Sequence, residues 1–486
     1  MSGPRILAID QGTTNTKALL IDGSGHVISR ASVPLKTEYP QPGWAEQSAT
    51  DIWTSVQAAI AGVMAQSGGV AVDAVAIANQ RETLVLWDSQ TGQPIAPAMI
   101  WQCRRTASDC AALVAAGHDA QVIAATGLGI NPLFPASKLG WAMRNLPEVA
   151  ALLAKGRLRA GTVDSWLLWN LTGGHVFATD HSNASRTQLF DTARLTFCPE
   201  LGAIFGAPVD CLPEALPSDS HFGDTAEGAT VLGSGIPIRA MMGDSHAALY
   251  GHGIRKPGGV KATYGTGSSL MTLTPARVAS SHGISGTIAW TDRRGTAYAL
   301  EGNITVSAQA AAFAARLLGL GDAAALAALA QTVPDAGGVT FVPALAGLGA
   351  PHWHDGARGT IGGMTHGTDP AHIARATLDA IAHQIADVFE AMQADVGQPL
   401  ESLSADGGAS GNAFLMQIQA DLIDRPVRSA RVEEIGAFGV AGMALAAMGC
   451  ADLPRTGSET FTPRMAPADR EVARKRWAGA IRQAMA

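Results

Sequence analysis

Residues 5–21 constrain the fold of this chain most, because they form two apolar runs joined at a glycine-containing corner. Residues 5–10 are mostly apolar and end in Asp10, and residues 17–21 form the second run. Short apolar runs on both sides of such a corner predict a β-hairpin. The corner, Gly-Thr-Thr at residues 12–14, lacks one Cβ and carries two hydroxyl donors, which favours close contact with an oxyanion. An ordinary polar turn is the alternative.

Asp10 and Lys17 favour the oxyanion interpretation of this hairpin. Asp10 ends the first strand, where a carboxylate can hold a hydrated divalent cation over bound phosphates, and Lys17 can supply a positive charge nearby. A similar pattern returns at residues 260–273, where Thr266 lies in a Gly-Thr-Gly corner between two apolar runs. This repetition indicates an internal duplication.

The length of the chain predicts two domains, since 486 residues are too many for one compact core. The Pro- and Gly-containing stretch at residues 254–259 is the best boundary. It gives domains at residues 1–253 and 254–486. A composition of 47% hydrophobic and 15% charged residues is typical of a well-packed soluble protein.

Charge, hydropathy and cysteine usage exclude several function classes. A formal net charge of −7 without any Lys/Arg run gives no basic field for nucleic acid. No uncharged apolar stretch is long enough to predict membrane insertion. The five cysteines show no CxxC spacing, so we expect reduced thiols and a cytoplasmic protein.

Polar or glycine-rich corners recur directly after predicted strands. Arg81 and Glu82 follow the apolar run at residues 70–79, Asp244 separates another apolar run from a helix, and a Gly-Gly corner occupies residues 407–408. In open α/β sheets the ligand crevice lies at such strand ends. The ordinary alternatives are a salt bridge at a sheet edge and a helix N-cap. No P-loop, no GxGxxG after a strand and no Cys/His cluster occurs, which disfavours Walker ATPases, Rossmann dehydrogenases and zinc enzymes.

Several collinear motifs carry a family resemblance. They are Asp10-Gln-Gly-Thr-Thr, Pro42-Gly-Trp-Ala-Glu, Asn79-Gln-Arg-Glu-Thr, Ile100-Trp-Gln-Cys-Arg-Arg, Gly161-Thr-Val-Asp-Ser-Trp-Leu, Asn183-Ala-Ser-Arg-Thr, Tyr264-Gly-Thr-Gly, Ala346-Gly-Leu-Gly-Ala-Pro, Arg375-Ala-Thr-Leu and Asp406-Gly-Gly-Ala. In these motifs the chain resembles the FGGY carbohydrate kinase family, most closely its members that phosphorylate glycerol. The resemblance implies an α/β fold of two actin-like ATPase (ribonuclease H-like) domains with a central cleft.

The resemblance also implies a reaction and a set of site residues. The chain would transfer the γ-phosphoryl group of ATP, with Mg²⁺, to a primary hydroxyl of glycerol or a related small polyol. Asp244 matches the catalytic base, and Asp10 would hold Mg²⁺ through water. The matching substrate positions are Thr13, Arg81, Glu82, Trp101, Leu133, Asp244 and Ser245. The matching nucleotide positions are Thr13, Thr14, Asn15, Lys17, Thr266, Gly408 and Asn412.

Two departures from the family pattern bear on the acceptor. Leu133 and Ser245 stand where the relatives that phosphorylate glycerol carry Tyr and Gln. The alternative acceptor is therefore a four- or five-carbon polyol or ketose, of the erythritol, xylulose or ribulose type. The resemblance further implies that the first domain holds the polyol pocket and the phosphate hairpin, that the second binds the nucleotide, and that the protein is a homodimer.

Two other function classes are weighed against the kinase. Gly243-Asp244-Ser245 resembles the nucleophile block of GDSL-type hydrolases, and Asp369-x-x-His372 imitates their Asp-x-x-His element. That block normally opens a small domain, whereas here it closes a large one. The second alternative is a non-catalytic nucleotide sensor on the same fold. Retention of both Asp10 and Asp244 argues against a sensor.

Overall fold

Short strands and helices alternate along the chain. The structure, a computed structural model, describes residues 3–432, 434–454 and 457–486. Its strands are β1 Arg5–Gln11, β2 Asn15–Asp22, β3 Val27–Pro34, β4 Glu46–Gln47, β5 Ala74–Asn79, β6 Val85–Asp88, β7 Ala98–Met99, β8 Leu158–Gly161, β9 Ala178–Asp180, β10 Phe190–Asp191, β11 Thr196–Phe197, β12 Glu214–Leu216, β13 Ile238–Gly243, β14 Gly259–Tyr264, β15 Ser268–Thr274, β16 Ser285–Asp292, β17 Gly295–Ile304, β18 Thr340–Val342, β19 Thr360–Gly362, β20 Ser402–Asp406, β21 Val427–Ala430 and β22 Ser458–Phe461.

The helices range from one turn to more than seven. They are α1 Ala49–Gln66, α2 Ala107–Ala115, α3 Asp119–Thr126, α4 Pro135–Asn145, α5 Pro147–Ala154, α6 Val163–Leu171, α7 His181–Ala184, α8 Pro199–Phe205, α9 Asp244–Gly251, α10 Gln309–Leu317, α11 Ala323–Ala330, α12 Pro370–Val396, α13 Ala413–Ile423, α14 Ile435–Ala447 and α15 Pro467–Met485. In the described part of the chain, no helix is long and apolar enough to cross a membrane.

The predicted hairpin at the start of the chain is confirmed, and it lies inside a five-stranded sheet. The strand order is β13-β5-β1-β2-β3, with β1 antiparallel to β2 and parallel to β5, which in turn is parallel to β13. The apolar residues of β1, Ile6 to Ile9, are fully buried. Because β1, β5 and β13 are parallel, their carboxyl ends meet at one edge of the sheet. Asp10, Arg81 and Asp244 lie at or just after these ends.

A second sheet repeats this arrangement, as the sequence predicted. Its seven strands follow the order β16-β17-β15-β14-β20-β21-β22. Strands β14 and β15 form an antiparallel hairpin, and β20 lies parallel to β14. The first strand of a hairpin thus has a parallel neighbour in both sheets. Thr266 lies in the hairpin corner, and Gly408 follows β20.

By internal contacts the described residues divide into two units that are not continuous halves of the chain. The first unit contains residues 3–253, 286–298 and 434–454, and the second contains residues 254–285, 299–432 and 457–486. The sequence predicted a single domain for all residues after residue 253. The structure differs for two later segments, and for the last of them the reason lies in helix α14.

Helix α14 is apolar around its whole circumference, so it is stable only when it is buried on all sides. It packs on α9 and on strands β1, β5 and β13 of the first unit. The helices α14 and α9 approach closely where Gly439 faces the backbone of α9. A Cβ at Gly439 would lie 1.7 Å from the Ala247 carbonyl oxygen. Glycine is therefore required for this packing distance.

The substitution Gly439→Ala should lower the free energy of unfolding by about 1–3 kcal/mol, the usual cost of overpacking a tight contact. The matched control is Gly442→Ala in the same helix, where the nearest atom to an added Cβ, Tyr250 Cε1, is 3.4 Å away. That control should leave stability unchanged or raise it by up to about 1 kcal/mol, since alanine favours helix over glycine. Urea unfolding followed by tryptophan fluorescence measures both, and equal effects would contradict the close-packing argument.

Candidate active site

The corner between β1 and β2 is fixed from several sides through Thr13. Its hydroxyl donates to Gln80 Oε1 at 3.3 Å and accepts the indole N–H of Trp101 at 2.9 Å. Its backbone carbonyl accepts the amide N–H of Gln47 at 2.6 Å. The predicted substrate residues Thr13 and Trp101 are therefore in direct contact. The glutamines were not assigned a role from the sequence, although both lie in or beside the family motifs.

The other predicted phosphate-hairpin residues surround this corner. Thr14 is exposed at its tip, and Asn15 is half-buried at the start of β2. The Asn15 carbonyl accepts the Gly12 N–H at 3.0 Å, which closes the turn. The Nζ of Lys17 lies 4.0 Å from Glu434 Oε1, so Lys17 forms a long ion pair with the acid that precedes α14. Sequence reasoning missed Glu434, because nothing local connects it with the hairpin.

Asp10 fits the role of a single carboxylate that holds Mg²⁺ through water. It lies at the end of β1, half-buried, opposite Lys17 in the strand register. Its Oδ2 faces the start of α14, where a Cβ at Gly436 would come within 3.4 Å of it. Among the described residues no group of three or more His, Cys, Asp or Glu side chains could hold a metal ion. Mg²⁺ typically keeps several waters and takes one or two carboxylates plus phosphate oxygens, so the donor set fits.

Arg81, Asp244 and Ser245 form one hydrogen-bonded group. Arg81 Nε donates to Asp244 Oδ1 at 3.1 Å, and its Nη2 donates to Ser245 Oγ at 3.3 Å. Oδ1 of Asp244 also accepts the N–H of Ser245 at 2.6 Å. Arg81 and Ser245 are buried, whereas the Asp244 side chain is 41% exposed. A charge-assisted pair of this kind orients a carboxylate that solvent or substrate can still reach.

Asp244 does not occupy the N-cap position of α9. Gly243 is the N-cap residue, and it has no side chain with which to cap the helix. Asp244 is the first helical residue. Its carboxylate bonds to Arg81 and to the next backbone N–H, so it is held in place without serving as the N-cap.

A buried network of polar side chains links the end of β5 to the end of β13. The Asp180 carboxylate accepts bonds from Ser182 Oγ at 2.9 Å and from Asn183 Nδ2 at 2.8 Å. The side-chain amides of Asn183 and Asn79 bond each other at 3.1 and 3.0 Å. Ser182 Oγ accepts the N–H of Gly243 at 3.0 Å. Sequence reasoning gave no role to Asp180, although an acid followed by Ser-Asn two residues later is a common local capping pattern.

The remaining predicted substrate residues of the first unit, Glu82 and Leu133, are joined through a buried lysine. Glu82 is buried directly after β5, and its carboxylate accepts a bond from Arg186 Nε at 2.7 Å. Leu133 is half-buried in the turn before α4. Lys138 donates from Nζ to the backbone carbonyls of both residues, at 2.8 Å to Glu82 and 2.7 Å to Leu133. Complete burial lowers the pKa of Lys138 to about 7.

The predicted nucleotide residues of the second unit lie at two adjacent corners. Thr266 is exposed between β14 and β15, and Gly408 is exposed directly after β20, which pairs with β14. Gly407 has a positive φ of 87°, and a Cβ there would lie 2.7 Å from the Tyr264 carbonyl oxygen. The backbone conformation and the close contact therefore both require glycine.

The Gly-Gly corner does not lead directly into an α-helix. A short 3₁₀ turn at Gly408–Gly411 comes first, and α13 begins only at Ala413. Asn412 is the N-cap of α13, and its Oδ1 accepts the N–H of Leu415 at 3.1 Å. The Ser410 hydroxyl donates to the Gly407 carbonyl at 2.8 Å, which supports the tight turn.

The element that imitated a hydrolase motif is a helix cap. The Asp369 side chain accepts the backbone N–H groups of Ala371 and His372, and His372 bonds back to the Asp369 N–H. This capping box begins α12 in the second unit. The pattern Asp369-x-x-His372 is thus explained by local backbone bonding.

Comparisons with known proteins identify the family of the chain. The model of the FGGY family of carbohydrate kinases, N-terminal domain, matches residues 5–251, and the C-terminal domain model matches residues 260–448. The chain belongs to the FGGY family of carbohydrate kinases. The predicted family, the predicted fold class and the predicted enzyme class are confirmed, and the kinases of this family use ATP with Mg²⁺.

Individual relatives cover almost the whole chain. Glycerol kinase of Symbiobacterium thermophilum is 43% identical in an alignment of 489 positions that covers 99% of this chain and 98% of the relative. Apulose kinase of Pectobacterium atrosepticum is 46% identical over 442 residues, 91% of this chain and 89% of the relative. Among solved structures, Plasmodium falciparum glycerol kinase with ADP superposes with a TM-score of 0.93 at 29% identity and covers 100% of this chain and 99% of that one.

Proposed function

We propose that this protein transfers the γ-phosphoryl group of ATP to a primary hydroxyl of glycerol or a related small polyol. One observation carries the proposal most directly. Arg81 and Asp244 are paired at 3.1 Å at the carboxyl ends of parallel strands, with Asp244 still reachable by a ligand. A proton acceptor and a donor of hydrogen bonds thus stand side by side, as a polyol phosphorylation site needs. The choice of glycerol as the acceptor rests on relatives named glycerol kinase.

In this proposal Asp244 is the base. It accepts the proton of the reacting hydroxyl as the oxygen bonds to the γ-phosphorus, and the bond to the bridging oxygen of ADP breaks. A carboxylate of ordinary basicity is sufficient, because the hydroxyl becomes acidic only as its oxygen commits to phosphorus. Arg81 donates to a neighbouring hydroxyl and Glu82 accepts from another. A site that bonds hydroxyls in both ways rejects substrates that lack them.

The other predicted residues position the acceptor and the phosphates. Trp101 packs the carbon side of the acceptor and holds Thr13 through its indole N–H. Thr13, Thr14, Asn15 and Lys17 contact the phosphates from the first domain, and Thr266, Gly408 and Asn412 contact the nucleotide from the second. Mg²⁺, held by Asp10 through water, would neutralise phosphate charge. This assignment gives the polyol pocket and phosphate hairpin to residues 1–253 and the nucleotide to residues 254–486.

Asp244→Asn should lower kcat by roughly 10²–10⁴-fold, the usual contribution of a positioned proton acceptor. The asparagine Oδ1 can still accept the bonds from Arg81 and from the Ser245 N–H, so we expect the fold and nucleotide binding to be retained. Coupled-assay kinetics and calorimetric ADP binding measure the two effects. The matched control is Asp322→Asn, at the N-cap of α11, which should leave kcat unchanged.

Near-full turnover of the Asp244→Asn protein would contradict the assignment of the base. A serine-directed fluorophosphonate probe gives an independent check against the hydrolase alternative. The kinase proposal expects no labelling at Ser245, whose Oγ is buried and hydrogen-bonded to Arg81. Stoichiometric labelling would favour the hydrolase.

A four- or five-carbon polyol or ketose, of the erythritol, xylulose or ribulose type, is the second candidate acceptor. The observation that favours it is the pair of departures from the pattern of glycerol-specific relatives. Leu133 offers no hydroxyl, and Ser245 has a short side chain that already bonds Arg81. In this proposal the shorter side chain at residue 245 leaves room for additional carbons of the acceptor. The relative named apulose kinase adds support.

The acceptor preference is tested by kcat/KM for glycerol, erythritol, xylitol, ribulose, xylulose and apulose. Each hydrogen bond lost at residues 133 and 245 is worth about 0.5–1.5 kcal/mol, so together they should cost glycerol about 5–150-fold. The double variant Leu133→Tyr with Ser245→Gln should recover this factor for glycerol and lower kcat/KM for the five-carbon acceptors. If glycerol leads the panel by a wide margin in the unmodified enzyme, the second candidate fails.

We also propose that the protein is a cytoplasmic homodimer, on the family resemblance and the reduced state expected for its cysteines. All five cysteines are free, and four of them are buried. Light scattering after size-exclusion chromatography gives the assembly directly, and a monomer mass at micromolar concentration would contradict it.

A further inference from the structure

Glu82 has a backbone conformation that its residue type disfavours. Its φ is +59°, in the left-handed region, where a residue with a long side chain is rare. The side chain is nevertheless buried, with 4% of its surface exposed. Such a conformation persists only when the surroundings determine it from several directions. The contacts that determine it are therefore part of how the acceptor site is built.

Cationic side chains from separate parts of the chain hold Glu82. Arg186, which follows α7, donates from Nε to Oε1 at 2.7 Å, and Arg81 Nη1 lies 3.8 Å from the same oxygen. These contacts fix the carboxylate. The backbone is fixed separately, because Lys138 of α4 donates from Nζ to the Glu82 carbonyl oxygen at 2.8 Å.

Lys138 also contacts the other side of the predicted acceptor pocket. The same Nζ donates to the Leu133 carbonyl oxygen at 2.7 Å. One ammonium group thus joins the turn that carries Glu82, after β5, to the turn that carries Leu133, before α4. Its length and donor geometry set the distance between these two turns.

The burial of Lys138 is consistent with a bridge and not with direct contact to a ligand. Its side chain has no exposed surface. The groups around it are Glu82, Arg105, Cys103 and Cys110, and burial is the main cause of its lowered pKa. A neutral amine still has two N–H donors, so both carbonyl bonds can persist whether or not the amine is charged.

We infer that Lys138 is a positioning residue that sets acceptor selectivity by fixing the spacing between Glu82 and Leu133. The inference rests on the proposed function of the same site and adds a residue that does not touch the acceptor. Small errors in the position of a binding group are costly, since a displacement of about 1 Å can lower rate about 100-fold. Changing Lys138 should therefore alter which acceptor is preferred and leave ATP binding unchanged.

The experiment compares the unmodified enzyme with Lys138→Met, in which an unbranched apolar chain removes both donors. We expect KM for the acceptor to rise about 10-fold or more, while KM for ATP changes less than about 2-fold. The ratio of kcat/KM for glycerol to that for xylulose should shift at least about 5-fold. The matched control is Ser137→Ala, in the same turn of α4, where a buried hydroxyl bonded to Thr106 is removed. This control should leave all three quantities unchanged, even if stability falls.

A second variant covers the case in which Lys138→Met does not fold. Lys138→Arg keeps the charge and donors for both carbonyls, but its longer planar group moves the carbonyls apart. The acceptor ratio should again shift, by at least about 3-fold. An unchanged ratio in whichever variant folds, with only stability lowered, would overturn the inference. No acceptor-dependent ADP release from the unmodified enzyme would contradict the proposed function itself, and the inference with it.

Discussion

Buried polar groups must find partners, and this constraint sets the geometry at the strand ends of the first unit. A buried donor or acceptor left without a partner costs about 1–3 kcal/mol. Asn79, at the end of β5, and Gly243, at the end of β13, are both hydrogen-bonded to the short buried helix α7, whose N-cap is Asp180. The residues that follow these two strands are Arg81 and Asp244. The buried hydrogen bonds of Asn79 and Gly243 therefore position Arg81 and Asp244 for pairing without the help of a ligand.

The parts of the structure that could be predicted from sequence are those governed by neighbours along the chain. Both hairpins, the start of α12 at its Asp369 cap, and the position of Asp244 between β13 and α9 follow from local patterns of apolar residues and turn chemistry. The missed residues have distant partners. Lys138 acts on Glu82 from 56 positions away, and Glu434 reaches Lys17 across most of the chain. The sequence around a buried lysine or acid does not indicate which distant residue it will contact.

Overall similarity does not decide the acceptor of this kinase. Relatives named glycerol kinase and apulose kinase are 43% and 46% identical to the chain, which is effectively the same distance. Asp10 and Asp244 are both retained, whereas Leu133 and Ser245 depart from the pattern of the relatives that phosphorylate glycerol. We therefore expect acceptor selectivity to depend on a few side chains and on the contacts that place them. Family membership defines the phosphoryl-transfer chemistry.

The position of α14 has a consequence for how the protein is made. Residues 434–454 belong to the first unit, although almost the whole second unit precedes them in the chain. When only the first 253 residues have left the ribosome, the core of the first unit is incomplete. The apolar surface of α9, β1, β5 and β13 that α14 later covers is still exposed to water. Domains usually fold in order of synthesis. Here the first to emerge is among the last to be finished, and its apolar surface stays uncovered until α14 has been synthesised.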